Sequence, residues 1–236
     1  HGSNPNLIAQ LQIESKKINL GDFSSDWIGE ETSELKCGVY VKAKRSELFN
    51  LKKIPRGSLK IDNLFFGLKK FPHRFKNMNL DLVVDDSSIV LQNLSGKIDD
   101  SDFKLIAHLD KYNSLLHQQS SDTSYLDFKL VSKQLQLNSL FSYGGKNHLP
   151  LEYQNEEIDH LIVHGTTYAN HLISGREYHL YLDQFEGKLK NHPFRLKEFR
   201  GDVIYKNDAL DIQEFHGVIG KSNFTINGNY QLNEQS

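Results

Sequence analysis

The chain has 236 residues, a length that suits one large β domain or two domains of roughly 100–150 residues each. Its 28 basic and 30 acidic side chains sum to −2, which removes the basic footprint of a nucleic-acid binder and of a polybasic membrane anchor. Hydrophobic residues at 38% and charged residues at 25% mark a folded chain, the single Cys37 excludes a disulfide framework or multi-cysteine zinc site, and no run of 18 apolar residues predicts a membrane-spanning helix.

Residues His1-Gly2-Ser3 read as a tag remnant and are set aside. Ser46 is placed to cap a short helix through Lys53 that Pro55 would stop. Leu80, Leu82 and Val84 alternate with polar or outward neighbours and predict a strand. Asp85-Asp86-Ser87 then supplies a turn and Ser88–Leu94 the returning strand. Phe103, Leu105, Ala107 and Leu109 repeat the alternation, and Asn138–Tyr143 predicts one or two helical turns before Gly144-Gly145. Late in the chain Phe224, Ile226, Gly228 and Tyr230 alternate with Thr225, Asn227, Asn229 and Gln231. A strand that is polar on one face and apolar on the other belongs to an antiparallel sheet with one wet side.

An internal match organises the whole sequence. Residues 57–112 align without a gap on 178–233 at a constant shift of 121, with 13 identities in 56 pairs, including Asp81/Asp202, Gly96/Gly217 and Phe103/Phe224. Upstream, Leu11–Leu20 aligns on Phe128–Leu137 at a shift of 117, which predicts a four-residue insertion near 144–155. We read a first β repeat over residues 4–120 and a second over 121–236. Positions common to both halves are explained by a shared fold before any unique active site, and Gly96 and Gly217 are expected to serve a turn or bulge. The fold expected is all-β: two tandem copies of an antiparallel β unit forming a curled, groove-like sheet with a few short helices.

The pattern apolar-x-apolar-x-Ser-x-x-apolar-x-Leu at Phe128–Leu137, with Gly-x-Ile-x-x-Ser-x-Phe-x-apolar-x-Gly-x-Tyr at Gly217–Tyr230, resembles the AsmA-like proteins of Gram-negative envelopes and their TamB-type relatives. Leu11–Leu20 and Gly96–Leu109 echo both motifs, although Asp99 and Ala107 stand where the second half has Gly220 and Gly228. The resemblance implies periplasmic β structure, tethered to the inner membrane by a segment outside this chain. It also implies a curled sheet whose apolar inner face carries phospholipid acyl chains, in the company of other envelope proteins. No catalytic residues come with it. The stretch Asn229–Ser236 stops just past a strand, and we expect a piece of a longer protein.

Physical reasoning points the same way. Five or six strands per half make a large apolar face, and soluble proteins rarely leave more than several hundred Å² of such surface uncovered. A second sheet, another chain or a lipid would cover it, and alternation alone does not separate a sandwich from a groove. The groove reading assigns the lining to Leu80, Leu82, Val84, Phe103 and Leu105, with Val203, Tyr205, Phe224 and Ile226 from the second half. The competing reading is a tandem β-sandwich adhesion or glycan-binding module with a dry core.

Catalytic and metal motifs are not found in the sequence. His160 and His164 share a strand face with Ile162, but no compact His/Asp/Glu spacing supplies three or four zinc ligands. Gly217–Ser222 ends like a phosphate loop, yet Phe215 holds the position of the required first glycine. There is no Gly-x-Ser-x-Gly elbow, and Cys37 has no nucleophile context. Asp81 and Asp202 read as polar-face residues of matching strands, and the basic segment Lys36–Arg56 reads as a solvated face with a secondary option of contacting anionic headgroups. The expectation is a non-enzymatic protein without cofactor or metal, binding acyl chains for phospholipid transport and outer-membrane homeostasis.

Overall fold

The alternating segments do form strands. The structure is a computed structural model and describes residues 6–19, 32–44, 54–68, 71–116, 123–143, 146–170 and 177–231. The helix expected at Ser46–Lys53 lies outside these residues. In chain order the elements are β1 (Asn6–Asn19), β2 (Thr32–Lys44), β3 (Arg56–Leu68), β4 (Phe71–Val84), β5 (Ser88–Ile98), β6 (Ser101–Asp110) and α1 (Asn113–Leu116). There follow β7 (Tyr125–Gln136), α2 (Leu137–Phe141), the two-residue strands β8 (Ser142–Tyr143) and β9 (Lys146–Asn147), and a 3-10 turn (Leu151–Tyr153). The chain continues through β10 (Glu157–Tyr168), β11 (Glu177–Leu189), β12 (Arg195–Lys206), β13 (Ala209–Ile219) and β14 (Ser222–Gln231).

Twelve of these strands make one open antiparallel sheet, ordered β1-β2-β3-β4-β5-β6-β7-β10-β11-β12-β13-β14. Each strand of the sheet pairs with the sheet strand before it in the chain, whether the two are joined by a two-residue turn, as between β5 and β6, or by the long segment between β7 and β10. The β4–β5 turn shows the local chemistry. Asp85 N–H donates to Ser88 O at 2.9 Å, Asp86 N–H donates to the Asp85 carboxylate at 2.8 Å, and Arg56 pairs with Asp85 and Asp86. At the β5–β6 turn Asp99 adopts φ 53°, and Gly220 at the corresponding β13–β14 turn adopts φ 64°. Asp is among the residue types that adopt the left-handed conformation at low cost, and the Asp99 carboxylate also accepts the Arg74 N–H at 3.0 Å, which fixes the turn against β4. The loss of glycine there leaves the turn unchanged in kind.

Irregularities in the ladder recur at the same spacing as the sequence match. Breaks in register fall at Ile61/Leu64 and Leu182/Phe185, at Lys76/Asn79 and Lys197/Arg200, and at Leu91/Leu94 and Ile212/Phe215. The bulge residues Asn77 and Glu198 both have positive φ, 51° and 56°. Such bulges bend a strand and increase its twist. Gly96 and Gly217 are not part of them, contrary to expectation: both lie inside strands. A Cβ on Gly96 would stand 2.3 Å from Met78 Sδ, and one on Gly217 would stand 2.7 Å from Phe224 Cζ. These glycines give room for a large side chain to lie flat on the sheet.

The sheet runs on from the first half of the chain to the second, since β6 pairs with β7 from Lys104↔Val131 to Asp110↔Tyr125. The sandwich alternative is corrected: among the described residues the only second sheet is the β8–β9 ribbon. The accessible surface is 15773 Å² for 27.1 kDa, against about 10,900 Å² for a compact monomer of that mass. Among the described residues buried apolar side chains are correspondingly few: Met78, Leu135, Leu161, Ala169 and Tyr112, of which Tyr112 alone is fully buried. A single layer has no opposing layer to bury its face.

Candidate functional site

Opposed residues of an antiparallel pair project to the same side of the sheet, so the register traces each face from strand to strand. One row begins Ile13↔Cys37↔Ile61↔Leu80↔Leu94↔Leu105. It continues Leu105↔Leu130↔Val163↔Phe185↔Phe199 without meeting a polar side chain other than the Cys37 thiol. A second row crosses all twelve strands, from Ala9↔Val41↔Gly57↔Val84↔Ile89↔Leu109 through Leu126, Thr167, Leu180, Val203 and Ile212 to Gly228. Between them runs Leu11↔Val39↔Leu59↔Leu82↔Leu91↔Ala107. Twelve strands at about 4.8 Å spacing make this face about 53 Å long across the strands.

All nine predicted lining residues lie on this face. Leu80, Leu82 and Val84 occupy the three rows in β4, Leu105 continues the first row, and Phe103 opposes Gly96 two positions along β6. Val203 is in the second row and Tyr205 opposes Tyr178 and Leu210. Phe224 opposes Gly217, and Ile226 opposes Phe215. Phe199 bridges the end of the face, its ring 5.9 Å from Phe215 and 5.5 Å from Phe224, both edge-on. The sequence reading missed the β3, β5, β7, β10 and β11 contributors, notably Ile61, Leu91, Leu94, Phe128, Leu130 and Phe185. A bulge hides Leu91 and Leu94, which are three apart yet share a face that a strict period of two rejects, whereas Phe128 and Leu130 alternate plainly and are legible in the sequence.

The opposite face is mostly polar. Its central row reads Ser58↔Val83↔Val90↔His108↔Asp127↔Thr166, then Tyr181, Asp202 and Gln213. Asp81, between Lys60 and Asn93, belongs to this face as expected, and so does Asp202. His164 Nε2 lies 3.1 Å from Asp127 and Nδ1 lies 3.7 Å from Asp183, a partly exposed contact with two carboxylates and no third ligand. His160, with φ 54°, is taken up by a bulge of β10. Tyr125, Tyr168, His179 and Tyr181 pack ring against ring across β7, β10 and β11. The hydrogen bond with Tyr168 holds the Tyr125 hydroxyl above the usual tyrosine range, and that with Tyr181 at 3.4 Å does the same for Tyr168. Glu157 is held below the usual carboxylate range by hydrogen bonds from Lys190 Nζ and Gln134 Nε2, each 3.0 Å long. Among the described residues no group of three or more His, Cys, Asp or Glu is arranged to hold a metal ion, and no helix is long and apolar enough to cross a membrane.

The segment between β7 and β10 folds over one rim of the apolar face. Leu137 N–H closes its base on Glu156 O at 3.1 Å. Its β8 strand reaches β4, where His73 Nε2 donates to Ser142 O at 2.9 Å while Nδ1 contacts Asp99. Alternation from Phe75, which opposes Phe66 and Ile98, puts His73 on the apolar side. His73→Ala is expected to loosen the ribbon with little effect on the sheet. The corresponding measurement is amide exchange, faster in β8 and β9 and unchanged in β5 and β6.

The class defined by these observations is an open, single-layer antiparallel sheet with one apolar and one polar face. No family model, curated protein or solved structure matches the chain.

Proposed function

We propose that the apolar face holds lipid acyl chains and that the protein is a non-enzymatic lipid-handling module. The single observation that carries this reading is the unbroken apolar row from β1 to β12, left without a covering layer among the described residues. Burial there would stabilise a bound chain by about 25 cal/mol for each Å² of apolar surface removed from water. A trough of aliphatic and aromatic side chains reads chain and not charge, so headgroup selectivity should be weak. The bulges favour a curled, groove-like sheet, because each one bends the strand it interrupts. The recurrence of those bulges at a spacing of 121 supports reading the chain as two tandem copies, residues 4–120 and 121–236. The motif resemblance to AsmA-like proteins supports a periplasmic setting, tethering to the inner membrane through segments outside this chain, and a part in phospholipid transport and outer-membrane homeostasis.

The test is mass spectrometry of the organic extract of the purified protein, alongside its native mass. Phospholipid in near-stoichiometric amount is expected. A lipid-free, stable monomer would overturn the proposal and mean that protein covers the face.

A further inference from the structure

We propose that β14 of one molecule pairs with β1 of a second copy, joining copies head to tail into a longer sheet. Among the described residues β1 and β14 are the two strands of the large sheet that pair on one side only. Large apolar side chains are exposed at both edges: Leu11 55% and Ile13 41% on β1, Ile226 47% and Tyr230 64% on β14. Exposed edges are ordinarily blunted by charge or proline. β14, Ser-Asn-Phe-Thr-Ile-Asn-Gly-Asn-Tyr-Gln, carries neither.

The chain holds its own template for this junction. At the shift of 121, β6 (Ser101–Asp110) falls on β14 (Ser222–Gln231), and at 117 the end of β7 at Gln136 falls on the end of β1 at Asn19. Since β6 and β7 are neighbours within the sheet, a β14–β1 contact repeats a pairing that the molecule already makes. The β6–β7 register then transfers residue by residue. Leu105↔Leu130 places Ile226 opposite Ile13 of the second copy, and Ala107↔Phe128 places Gly228 opposite its Leu11. His108↔Asp127 places Asn229 opposite its Gln10, and Lys104↔Val131 places Thr225 opposite its Glu14. On the apolar face apolar residues meet apolar residues, no like charges are opposed, and Asp110↔Tyr125 places Gln231 opposite its Ile8 as the one polar–apolar pair.

Direction agrees as well. Strands of this sheet alternate, and twelve is an even number, so β14 runs opposite to β1. A second copy related by translation therefore meets β14 in antiparallel sense with its apolar face on the same side. Such a contact is heterologous and does not close on itself, which gives a ladder of species and not a dimer alone. The inference stands whether or not the face binds lipid.

The experiment pairs sedimentation of the parent chain with disulfide trapping in a Cys37→Ser background. Sedimentation should show dimer and higher species growing with concentration. Mixing Gln10→Cys protein with Asn229→Cys protein should give a disulfide-linked dimer that neither gives alone. Replacing the first partner by Gln12→Cys, two positions out of register, should slow trapping by about ten-fold or more, since directly opposed Cβ atoms come within disulfide reach and displaced ones do not. A parent chain that stays monomeric at every concentration overturns the proposal. So does a dimer of Asn229→Cys alone, which would set β14 against β14, or equal trapping in both mixtures.

Discussion

Aspartate in place of Leu82 is expected to cost about 2 kcal/mol of stability and, on the proposed lipid-binding reading, to abolish lipid uptake. Leu82 lies between Leu59 and Leu91 in the middle of an apolar row. Leu82 is half-buried, so removing its side chain forfeits part of the roughly 1.5–3 kcal/mol that full burial is worth, and a carboxylate set between two leucines adds a partial desolvation cost. Phe224→Asp should act similarly, because it removes the ring that packs against Phe199 and over Gly217. Thr225→Asp, one residue along on the polar side of an exposed strand, should shift stability by no more than about 0.5 kcal/mol. Thermal unfolding and lipid content of the three variants decide the assignment of faces. Equal effects at all three positions would refute it.

The second large effect is expected at Gly201. Its φ is 143°, and a Cβ there would stand 2.6 Å from Phe215 Cα and 2.9 Å from Glu214 O, both backbone atoms of the neighbouring strand. Gly201→Ala thus combines backbone strain of about 1–3 kcal/mol with overpacking of similar size. A loss of roughly 2–5 kcal/mol would lower the melting temperature by roughly 5–15 °C in a chain of this size. Gly38→Ala is the matched comparison. Gly38 lies in a strand with nothing within 4 Å of the position its Cβ would take, so its change should be within about 0.5 kcal/mol. Comparable melting temperatures for the two variants would show that the β12–β13 bulge yields to accept a side chain.

The contrast between these glycines marks the border of what a sequence displays. Gly201 aligns with Leu80, so the internal match predicts no constraint at that position. The constraint arises from the bulges at Lys197/Arg200 and Arg200/Asp202, which bring β13 backbone close to its α-carbon. Gly96 and Gly217 show the same thing in reverse: identity at both positions was legible, but the reason is the Met78 and Phe224 side chains lying over them and not a turn.

Period two by itself determined the all-β class and assigned nine residues to one apolar face, because side-chain direction in a strand depends only on the local backbone. The shift of 121 by itself predicted which strands correspond, since β3, β5 and β6 so displaced fall on β11, β13 and β14. Tertiary structure decided the rest. A sandwich and an open sheet share the same alternation, so only non-local pairing could establish that β6 lies beside β7 and that the sheet stays open. Only the cross-strand register could return Leu91 and Leu94 to one face, because a bulge is a mismatch between two strands and is invisible in either one. Likewise the reach of β8 to His73 joins residues 69 positions apart, a contact made by the path of the chain over the rim and written in no local pattern.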